Sequence, residues 1–288
     1  MTPHRVDLKE QLEPSQERAR QPEGNLPPIR TGTKVDGLTL SVVSHGHGSM
    51  LTKLLLDLAA LPTLAGVRVI VTLNLFAEPF DSTRFEPLQI DVLRNEHPRG
   101  FGANHNAAFA HCETAWFAIL NPDLRVPHDP FASLFEAAMC WPDAALLGPR
   151  VMDPDGNIED SVRDNLSPLS LAVRRLLGKR NPIQVSGPTK GGERFYWIAG
   201  MFMLLRTDAF RSVGGFDERY FMYCEDYDLC ARMYVAGYSL VLVSQASVVH
   251  AAQRDSHRSL RHLRWHLTSI CKAWCSLAYW KVSFQRSH

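Results

Sequence analysis

Short apolar runs rich in β-branched residues alternate with stretches of helical spacing along the first half of the chain. The runs predict five strands, at residues 38–44, 67–73, 90–93, 116–120 and 144–147. The helical spacing predicts three helices, at residues 50–61, 102–111 and 131–140. This alternation is typical of an α/β fold, in which helices flank a mainly parallel sheet. Ligands of such sheets bind beyond the carboxyl ends of the strands.

The second half of the chain is less regular. Its pattern predicts a hairpin opening at 151–157, a short basic helix at 168–178, an apolar stretch at 195–205, a helix at 225–236, strands at 238–243 and 246–249, and a final helix from about 259 to 284. The first 36 residues are polar and rich in proline, which predicts a disordered leader over 1–36. We therefore expect one folded domain over 37–252 and a basic amphipathic helix within 253–288.

The final segment differs from the rest of the chain in charge. The 288 residues contain 31 Lys or Arg and 30 Asp or Glu, a net charge of +1. Between Arg254 and His288 the sequence has seven Lys or Arg and one acid, Asp255, which gives +6 and leaves −5 for the remainder. The near-neutral total excludes a uniformly basic protein, so we expect no nucleic-acid partner.

An apolar stripe runs along the predicted final helix. Its members recur at steps of three and four residues and are Leu263, Leu267, Ile270, Trp274 and Leu277. This stripe can face either the folded domain or a membrane surface, and we expect it to pack on the folded domain. Arginines and the aromatic residues outside the stripe, Trp265, Tyr279 and Trp280, would then still meet a membrane surface or an acceptor pyrophosphate through residues 257–286.

Composition narrows the class of protein. Apolar residues make up 45% and charged residues 21%, which are ordinary values for a globular protein. Six cysteines without a CxxC pair indicate reduced thiols. The sequence has no apolar run of about eighteen residues and no apolar core of a signal peptide near its start. We expect a cytoplasmic protein, peripheral on the inner face of the membrane.

Two short motifs follow predicted strands. Asn121 and Asp123 lie in a turn after the strand 116–120, where a carboxylate would face the ligand crevice and suit a hard divalent cation. Asn-Pro-Asp is also common turn chemistry, which is the simpler interpretation. His250 follows the apolar residues 247–249, and a lone histidine there is more often structural than a ligand. Together with Asp123 across the crevice it becomes a candidate second metal ligand.

Three acids open the predicted helix 225–236. Glu225, Asp226 and Asp228 favour a helix N-terminus, and Asp228 with Arg232 forms an i,i+4 pair. Helix capping alone would explain them. Three carboxylates within four residues also repel one another, which can raise the pKa of one of them into the range of a general base.

The order and spacing of these motifs resemble family 2 glycosyltransferases, especially the bacterial rhamnosyltransferase-like branch. The matching stretches are 40–44, 94–95, 99–106, 120–123, 200–205, 214–217, 225–229 and His250. They span residues 38 to 250. The block from Gly214-Gly-Phe-Asp217 to Glu225-Asp-x-Asp-Leu229 is the most specific of them.

The resemblance implies a GT-A fold over 37–252 and an inverting transfer from a nucleotide-diphospho-sugar to a hydroxyl of a glycan or lipid-linked acceptor, in cell-surface polysaccharide assembly. Rhamnose is the sugar that this branch suggests. Asp226 would be the general base with Glu225 beside it, and Asp123 and His250 would hold Mg²⁺ or Mn²⁺. The implied donor-side residues are Ser44, Asn74, Gly100, Phe101, Asn106, Asn121 and Asp123. The implied acceptor-side residues are Trp197, Gly200 and Asp228.

Two other classes share parts of this pattern. A Rossmann-type cofactor enzyme would carry G-x-G-x-x-G after its first strand, which the segment from Ser44 to Gly48 does not provide. A non-catalytic protein of the same fold could bind a glycan or partner without transfer. Turnover of a nucleotide-sugar separates that alternative from an enzyme.

Overall fold

The computed structural model describes residues 37–168, 187–190, 193–251 and 260–285. The expected leader at 1–36 lies outside these residues, as does all but the first residue of the expected basic helix at 168–178. None of the helices described is both long and apolar enough to cross a membrane.

Ten strands and seven α-helices make up the described fold. The strands are β1 (Leu38–Ser44), β2 (Arg68–Leu73), β3 (Gln89–Arg94), β4 (Trp116–Leu120), β5 (Leu124–Arg125), β6 (Ala144–Met152), β7 (Val162–Asp164), β8 (Tyr196–Ile198), β9 (Phe202–Arg206) and β10 (Ser239–His250). The helices are α1 (Gly48–Ala59), α2 (Phe101–Phe109), α3 (Phe131–Cys140), α4 (Thr207–Ser212), α5 (Glu225–Val235), α6 (Leu260–Trp274) and α7 (Leu277–Gln285). Short 3₁₀ turns cover Pro62–Leu64 and Ser82–Phe85.

Eight strands form one sheet in the order β3-β2-β1-β4-β9-β6-β10-β5. All neighbours pair in parallel except at β9 and β5, which run against theirs. The expected mainly parallel sheet with flanking helices is confirmed. Strands β7 and β8 form a separate antiparallel pair.

Three elements differ from the sequence prediction. The two strands expected at 238–243 and 246–249 are one strand, β10, whose register with β6 shifts between Val243 and Ser247. The apolar stretch at 195–205 divides into β8 and β9 around Gly200. The single final helix is two helices, because Ser276 caps a new helix by accepting the Tyr279 N–H at 3.1 Å.

The sheet separates two apolar cores. On one face, α1 packs against β1 and β5, and α3 packs against β6 and β10. On the other face, α5 and α7 pack with the strands β8 and β9 in an aromatic-rich core. The β1, β2 and β4 strands run in the same direction, so their carboxyl ends meet at one edge of the sheet. We call this the carboxyl edge.

Neighbouring leucines on α1 test which face of this helix stabilises the fold. Leu55 is 0% exposed and Leu56 is 45% exposed. We expect Leu55→Ala to lower the free energy of unfolding by roughly 2–5 kcal/mol, because it removes buried apolar surface and leaves a cavity. The matched variant Leu56→Ala should change it by less than about 1 kcal/mol. Chemical denaturation measures both, and equal losses would contradict the packing of α1.

Candidate active site

The turn after β1 is organised by a buried carboxylate. Ser44 donates its hydroxyl to Glu78, whose second oxygen accepts the Gly46 N–H at 2.9 Å. The Ser44 hydroxyl also accepts the His47 N–H at 3.1 Å. Ser44 therefore fixes the shape of residues 45–47 at the carboxyl edge. Glu78 was not expected from the sequence, because it lies in an irregular loop.

Asn74 ties the end of β2 to the segment that leads into α2. Its oxygen accepts the Arg99 N–H and an Asn95 amide N–H, both at 2.8 Å, and its amide donates to the Arg99 carbonyl at 3.0 Å. The same Asn95 amide donates to Asn104 at 2.6 Å. The hydrogen-bonding atoms of Asn74 are thus occupied by protein groups. The role of this side chain is to hold residues 95–99 in place.

Gly100 begins α2 in direct contact with the second half of the chain. A Cβ at this position would lie 2.7 Å from the Phe221 carbonyl oxygen, so glycine is required by this close approach. The Phe101 N–H donates to the same oxygen at 2.9 Å. The Phe101 ring meets His105 edge-on at 4.5 Å, and burial lowers the pKa of His105 to about 3.

Asn106 clamps the loop that leads to α5. Its oxygen accepts the Phe216 N–H at 2.9 Å, and its amide donates to the Phe216 carbonyl at 2.9 Å and to Glu218 at 3.1 Å. Gly215 adopts φ +67°, and a Cβ there would lie 2.6 Å from the Asn106 oxygen. The Asn106 side chain therefore joins α2 to this loop of the second half of the chain.

Asp123 and His250 meet as the sequence suggested. Asp123 follows β4 and its carboxylate lies 3.1 Å from His250 Nε2, at the end of β10. Glu159, not anticipated from the sequence, lies 2.8 Å from His250 Nδ1. Burial lowers the pKa of His250, but hydrogen bonds and charge from Asp123 and Glu159 outweigh it, so the pKa is raised.

The Asp123 carboxylate has an unused acceptor. Its Oδ1 is buried without a hydrogen-bond partner beside the imidazole of His250. A buried, unpaired carboxylate oxygen is the type of ligand that a hard cation takes. Within the described residues, no three His, Cys, Asp or Glu side chains are grouped so as to hold a metal ion. The fit to a cation thus rests on two side chains. Asn121, in the same turn, donates its backbone N–H to the Met201 carbonyl at 2.9 Å.

Glu225 and Asp226 start α5 after a strained turn. Tyr223 and Cys224 both have positive φ, at 73° and 65°, which non-glycine residues rarely adopt. Asp226 accepts the Gly200 N–H at 3.0 Å and the Tyr227 N–H at 2.8 Å. Burial raises the pKa of Asp226 against these hydrogen bonds and the charge of Arg163. Its side chain keeps partial solvent access.

Glu225 is the more deeply buried of the pair. Its Oε2 has no hydrogen-bond partner, and burial together with the charge of Asp226 raises its pKa well above the ordinary value. Asp228 is buried and pairs with Arg232 at 2.7 Å, which confirms the expected i,i+4 contact. Burial raises the pKa of Asp228 although Arg232 lowers it.

The small β7–β8 sheet packs against α5, the helix that begins with Glu225 and Asp226. Trp197 is buried and donates its indole N–H to the Asp164 carbonyl at 2.9 Å. Arg163, which the sequence did not single out, stacks 5.0 Å over the Trp197 ring. A Cβ at Gly200 would lie 3.2 Å from the Phe101 ring and 3.6 Å from the Asp226 Cβ, so this turn brings the two halves of the site into contact.

Solved structures share this architecture. The mannosyltransferase PcManGT from Pyrobaculum calidifontis, solved with GDP-Man and Mn²⁺, superimposes with a TM-score of 0.58 over 91% of this chain and 77% of that chain. GalNAc-T7, solved with UDP, GalNAc and Mn²⁺, gives a TM-score of 0.53 over 76% of this chain and 43% of that chain. Identity is 15% in both cases, so the similarity establishes the fold, which is that of GT-A glycosyltransferases.

The chain belongs to glycosyl transferase family group 2, whose sequence model matches residues 116–284. It is 30% identical to the rhamnosyltransferase WbbL of Escherichia coli K12 over 237 residues, which cover 79% of this chain and 89% of WbbL. It is 38% identical over 159 residues to the N-acetylglucosaminyl-diphospho-decaprenol L-rhamnosyltransferase of Mycobacterium tuberculosis H37Rv. That alignment covers 52% of each chain, so the chain spans about half the length of the mycobacterial relative. The family expected from the motifs is confirmed.

Two adjacent glycines test the Asn106 clamp. Both have positive φ, but a Cβ at Gly214 would meet nothing within 4 Å, whereas one at Gly215 would collide with Asn106. We expect Gly214→Ala to cost about 1 kcal/mol of stability from backbone strain alone. Gly215→Ala should cost roughly 1–3 kcal/mol more, because Asn106 is displaced from Phe216. Thermal and chemical unfolding measure the difference, and equal losses would show that the clamp contributes nothing.

Proposed function

We propose that this protein is an inverting glycosyltransferase that moves a sugar from a nucleotide-diphospho-sugar to an acceptor hydroxyl. The observation that carries this proposal is the environment of Asp226. Its carboxylate is oriented by two backbone N–H groups, retains solvent access, and has a raised pKa at the start of α5. An oriented carboxylate whose pKa is raised is a stronger proton acceptor than an ordinary aspartate.

Asp226 acts as the general base in this proposal. The acceptor hydroxyl gives its proton to Asp226 while its oxygen forms a bond to the anomeric carbon of the sugar. The bond from that carbon to the diphosphate oxygen breaks on the opposite face, and the nucleoside diphosphate leaves. One displacement inverts the anomeric centre.

Glu225 assists without taking the proton. Burial and the neighbouring carboxylate raise the pKa of Glu225 well above its ordinary value, so in our proposal Asp226, which two backbone N–H groups orient, takes the proton. The charge of Arg163 favours the same assignment by lowering the pKa of Asp226. The expected acceptor-side residues Trp197 and Asp228 are buried, so in our proposal they support this pair rather than contact the acceptor.

Asp123 and His250 are the residues that would hold Mg²⁺ or Mn²⁺. The unpaired Asp123 oxygen beside His250 Nε2 supports this role. Magnesium sites commonly use one or two carboxylates, with substrate phosphates and water completing the coordination. A cation bound there would supply positive charge to the departing diphosphate.

In our proposal the donor-side residues act mainly by fixing the shape of the loops around the donor. The side chains of Ser44, Asn74 and Asn106 are hydrogen-bonded to the protein. These contacts fix residues 45–47, 95–99 and 216–218 respectively. Gly100 and Phe101 begin α2, and with Asn121 they complete the donor side that we propose.

The relatives suggest the sugar and the acceptor. WbbL is named a rhamnosyltransferase, and the mycobacterial relative is named for transfer of L-rhamnose to an N-acetylglucosaminyl-diphospho-decaprenol. We propose rhamnose as the sugar and a hydroxyl of a glycan or lipid-linked acceptor as its target, in polysaccharide assembly. An acceptor carried by a lipid would place the enzyme at a membrane surface.

Replacing the base tests the reaction. Asp226→Asn should lower turnover by ~10²–10⁴-fold, because an amide cannot accept the proton at neutral pH. Turnover is measured as release of nucleoside diphosphate from UDP-, dTDP- and GDP-sugars with a bacterial lipid extract as acceptor. Stabilisation of the fold by the nucleotide should persist in a thermal-shift assay.

A matched acid provides the control for this variant. Asp208 is an exposed acid in the first turn of α4, and Asp208→Asn should keep wild-type turnover. If Asp226→Asn retains more than about a tenth of wild-type turnover, the assignment of Asp226 is wrong.

Removing either candidate ligand tests the metal site. Asp123→Ala and His250→Ala should each raise the Mn²⁺ concentration for half-maximal turnover by at least about tenfold. Direct Mn²⁺ binding, followed by electron spin resonance in the presence of nucleotide, should weaken in parallel. Asp155→Ala, which removes an exposed carboxylate from the turn after β6, should change neither. Full wild-type turnover in excess EDTA would contradict the metal role.

A further inference from the structure

The two C-terminal helices expose several large apolar side chains, among them Leu263, Leu267 and Leu277, which the sequence pattern led us to expect in the core. Five large apolar side chains on α6 and α7 have exposed fractions between 44% and 79%: Leu263, Leu267, Leu277, Trp280 and Phe284. Only Ile270 of the expected stripe is buried. The five fall at steps of three, four or seven residues within each helix, so each helix presents one apolar stripe to solvent. We call these five residues the outer stripe.

The opposite face of α6 holds the segment that leads into the proposed base. Ser269 donates its hydroxyl to the Met222 carbonyl at 2.8 Å, and His262 lies 2.9 Å from the Tyr223 hydroxyl. The Trp265 ring packs on Phe221 at 4.7 Å. The inner face of α6 therefore contacts residues 221–223, directly before Glu225 and Asp226.

The inner face of α7 also packs on the domain. Tyr279 and Val282 are buried, and Ser283 accepts a hydrogen bond from Asn165 at 2.9 Å. Asn165 in turn accepts the hydroxyl proton of Tyr227 on α5 at 2.6 Å. Both helices are anchored to the domain by one face, so the outer stripe is not needed for their attachment.

Charge indicates what covers the outer stripe. The exposed cations on these helices are Arg261, Arg264, Lys272 and Lys281. The sequence from 257 to 288 contains no Asp or Glu. Two copies of the chain meeting through this surface would bring like charges together, whereas an anionic lipid surface offers opposite charge to the cations and an apolar boundary to the stripe.

We propose that α6 and α7 dock on an anionic bilayer surface through the outer stripe and three of these cations, Arg261, Arg264 and Lys281. Lys272 donates to the Arg219 carbonyl of the domain. The inference deepens the proposed function by naming the membrane-facing surface. Docking itself does not depend on the proposed function, and only its purpose, access to a lipid-linked acceptor, rests on that function. Because the inner face of α6 holds residues 221–223, docking brings the acceptor side of the site to the lipid surface. A lipid-linked acceptor could then reach Asp226 without leaving the membrane.

Vesicle sedimentation of the full chain tests the proposal. Vesicles of phosphatidylglycerol and phosphatidylcholine in equal parts are compared with vesicles of phosphatidylcholine alone. Wild-type protein should pellet with the anionic vesicles. The triple variant Leu267→Gln, Trp280→Gln, Phe284→Gln should bind them at least about a hundredfold more weakly, because three apolar side chains no longer enter the interface. The double variant Arg264→Gln, Lys281→Gln should bind roughly 30-fold more weakly.

Exposed residues elsewhere supply matched controls. Leu56→Gln, Met139→Gln, Trp141→Gln removes three exposed apolar side chains from α1 and the α3 end, and Lys53→Gln, Arg84→Gln removes two exposed cations. Both control variants should pellet like wild type. All variants should keep the wild-type unfolding midpoint, since every altered side chain is exposed.

Two outcomes would overturn the docking surface. One is equal pelleting of wild type and the outer-stripe variant on anionic vesicles. The other is a wild-type dimer without vesicles, seen by light scattering, that the outer-stripe variant abolishes, which would make this surface an interface between copies. Nucleotide-dependent thermal stabilisation is measured on the same samples. Its absence with normal vesicle binding would contradict the proposed function and leave the docking surface in place.

Discussion

The structure depends on holding two adjacent carboxyl groups, Glu225 and Asp226, where burial opposes their charges. Burial raises the pKa of both groups, and each disfavours the charge of the other. The fold compensates with two backbone N–H groups on Asp226 and a nearby arginine, while Glu225 receives no partner for one oxygen. Packing elsewhere in the fold, including the aromatic core around α5, offsets the free energy that this arrangement costs.

The same pair explains why the two halves of the chain are joined so tightly near α2. The turn before Glu225 has two consecutive residues with positive φ, a conformation that persists only where the surrounding structure holds it. Asn106 holds that loop at Phe216, and the Phe101 N–H holds it at Phe221. On the other side, α6 contacts residues 221–223. The strained turn is therefore fixed from both sides. Because α6 contacts this turn, a surface bound by α6 is linked to the turn through that one helix.

The sequence predicts the sheet and the acids but not their partners. Strands such as β1 and β4 are apolar and β-branched, so their pattern is strong, and Asp123 is found because it directly follows one of them. Glu78, Glu159 and Arg163 come from loops or short strands without a period, and their contacts join residues far apart in sequence. Periodicity also fails on α6, because it groups residues on a helix face without telling which face is inside. Small residues such as Ser269 and Ala273 form the inner face, while Leu263 and Leu267 lie outside.

The occupied side chains at the carboxyl edge bear on how a nucleotide is recognised. Ser44, Asn74 and Asn106 are polar residues of the kind that read a ligand by its hydrogen-bond pattern, yet each is bonded to the protein. A site built in this way presents loops of fixed shape, and the backbone N–H groups of Gly46, His47 and Arg99 are bonded to the protein as well. In the donor site that we propose, discrimination between bases depends on the shape of the turns that these side chains hold. A substitution that frees the 95–99 segment should consequently weaken binding of every nucleotide before it changes the preference among them.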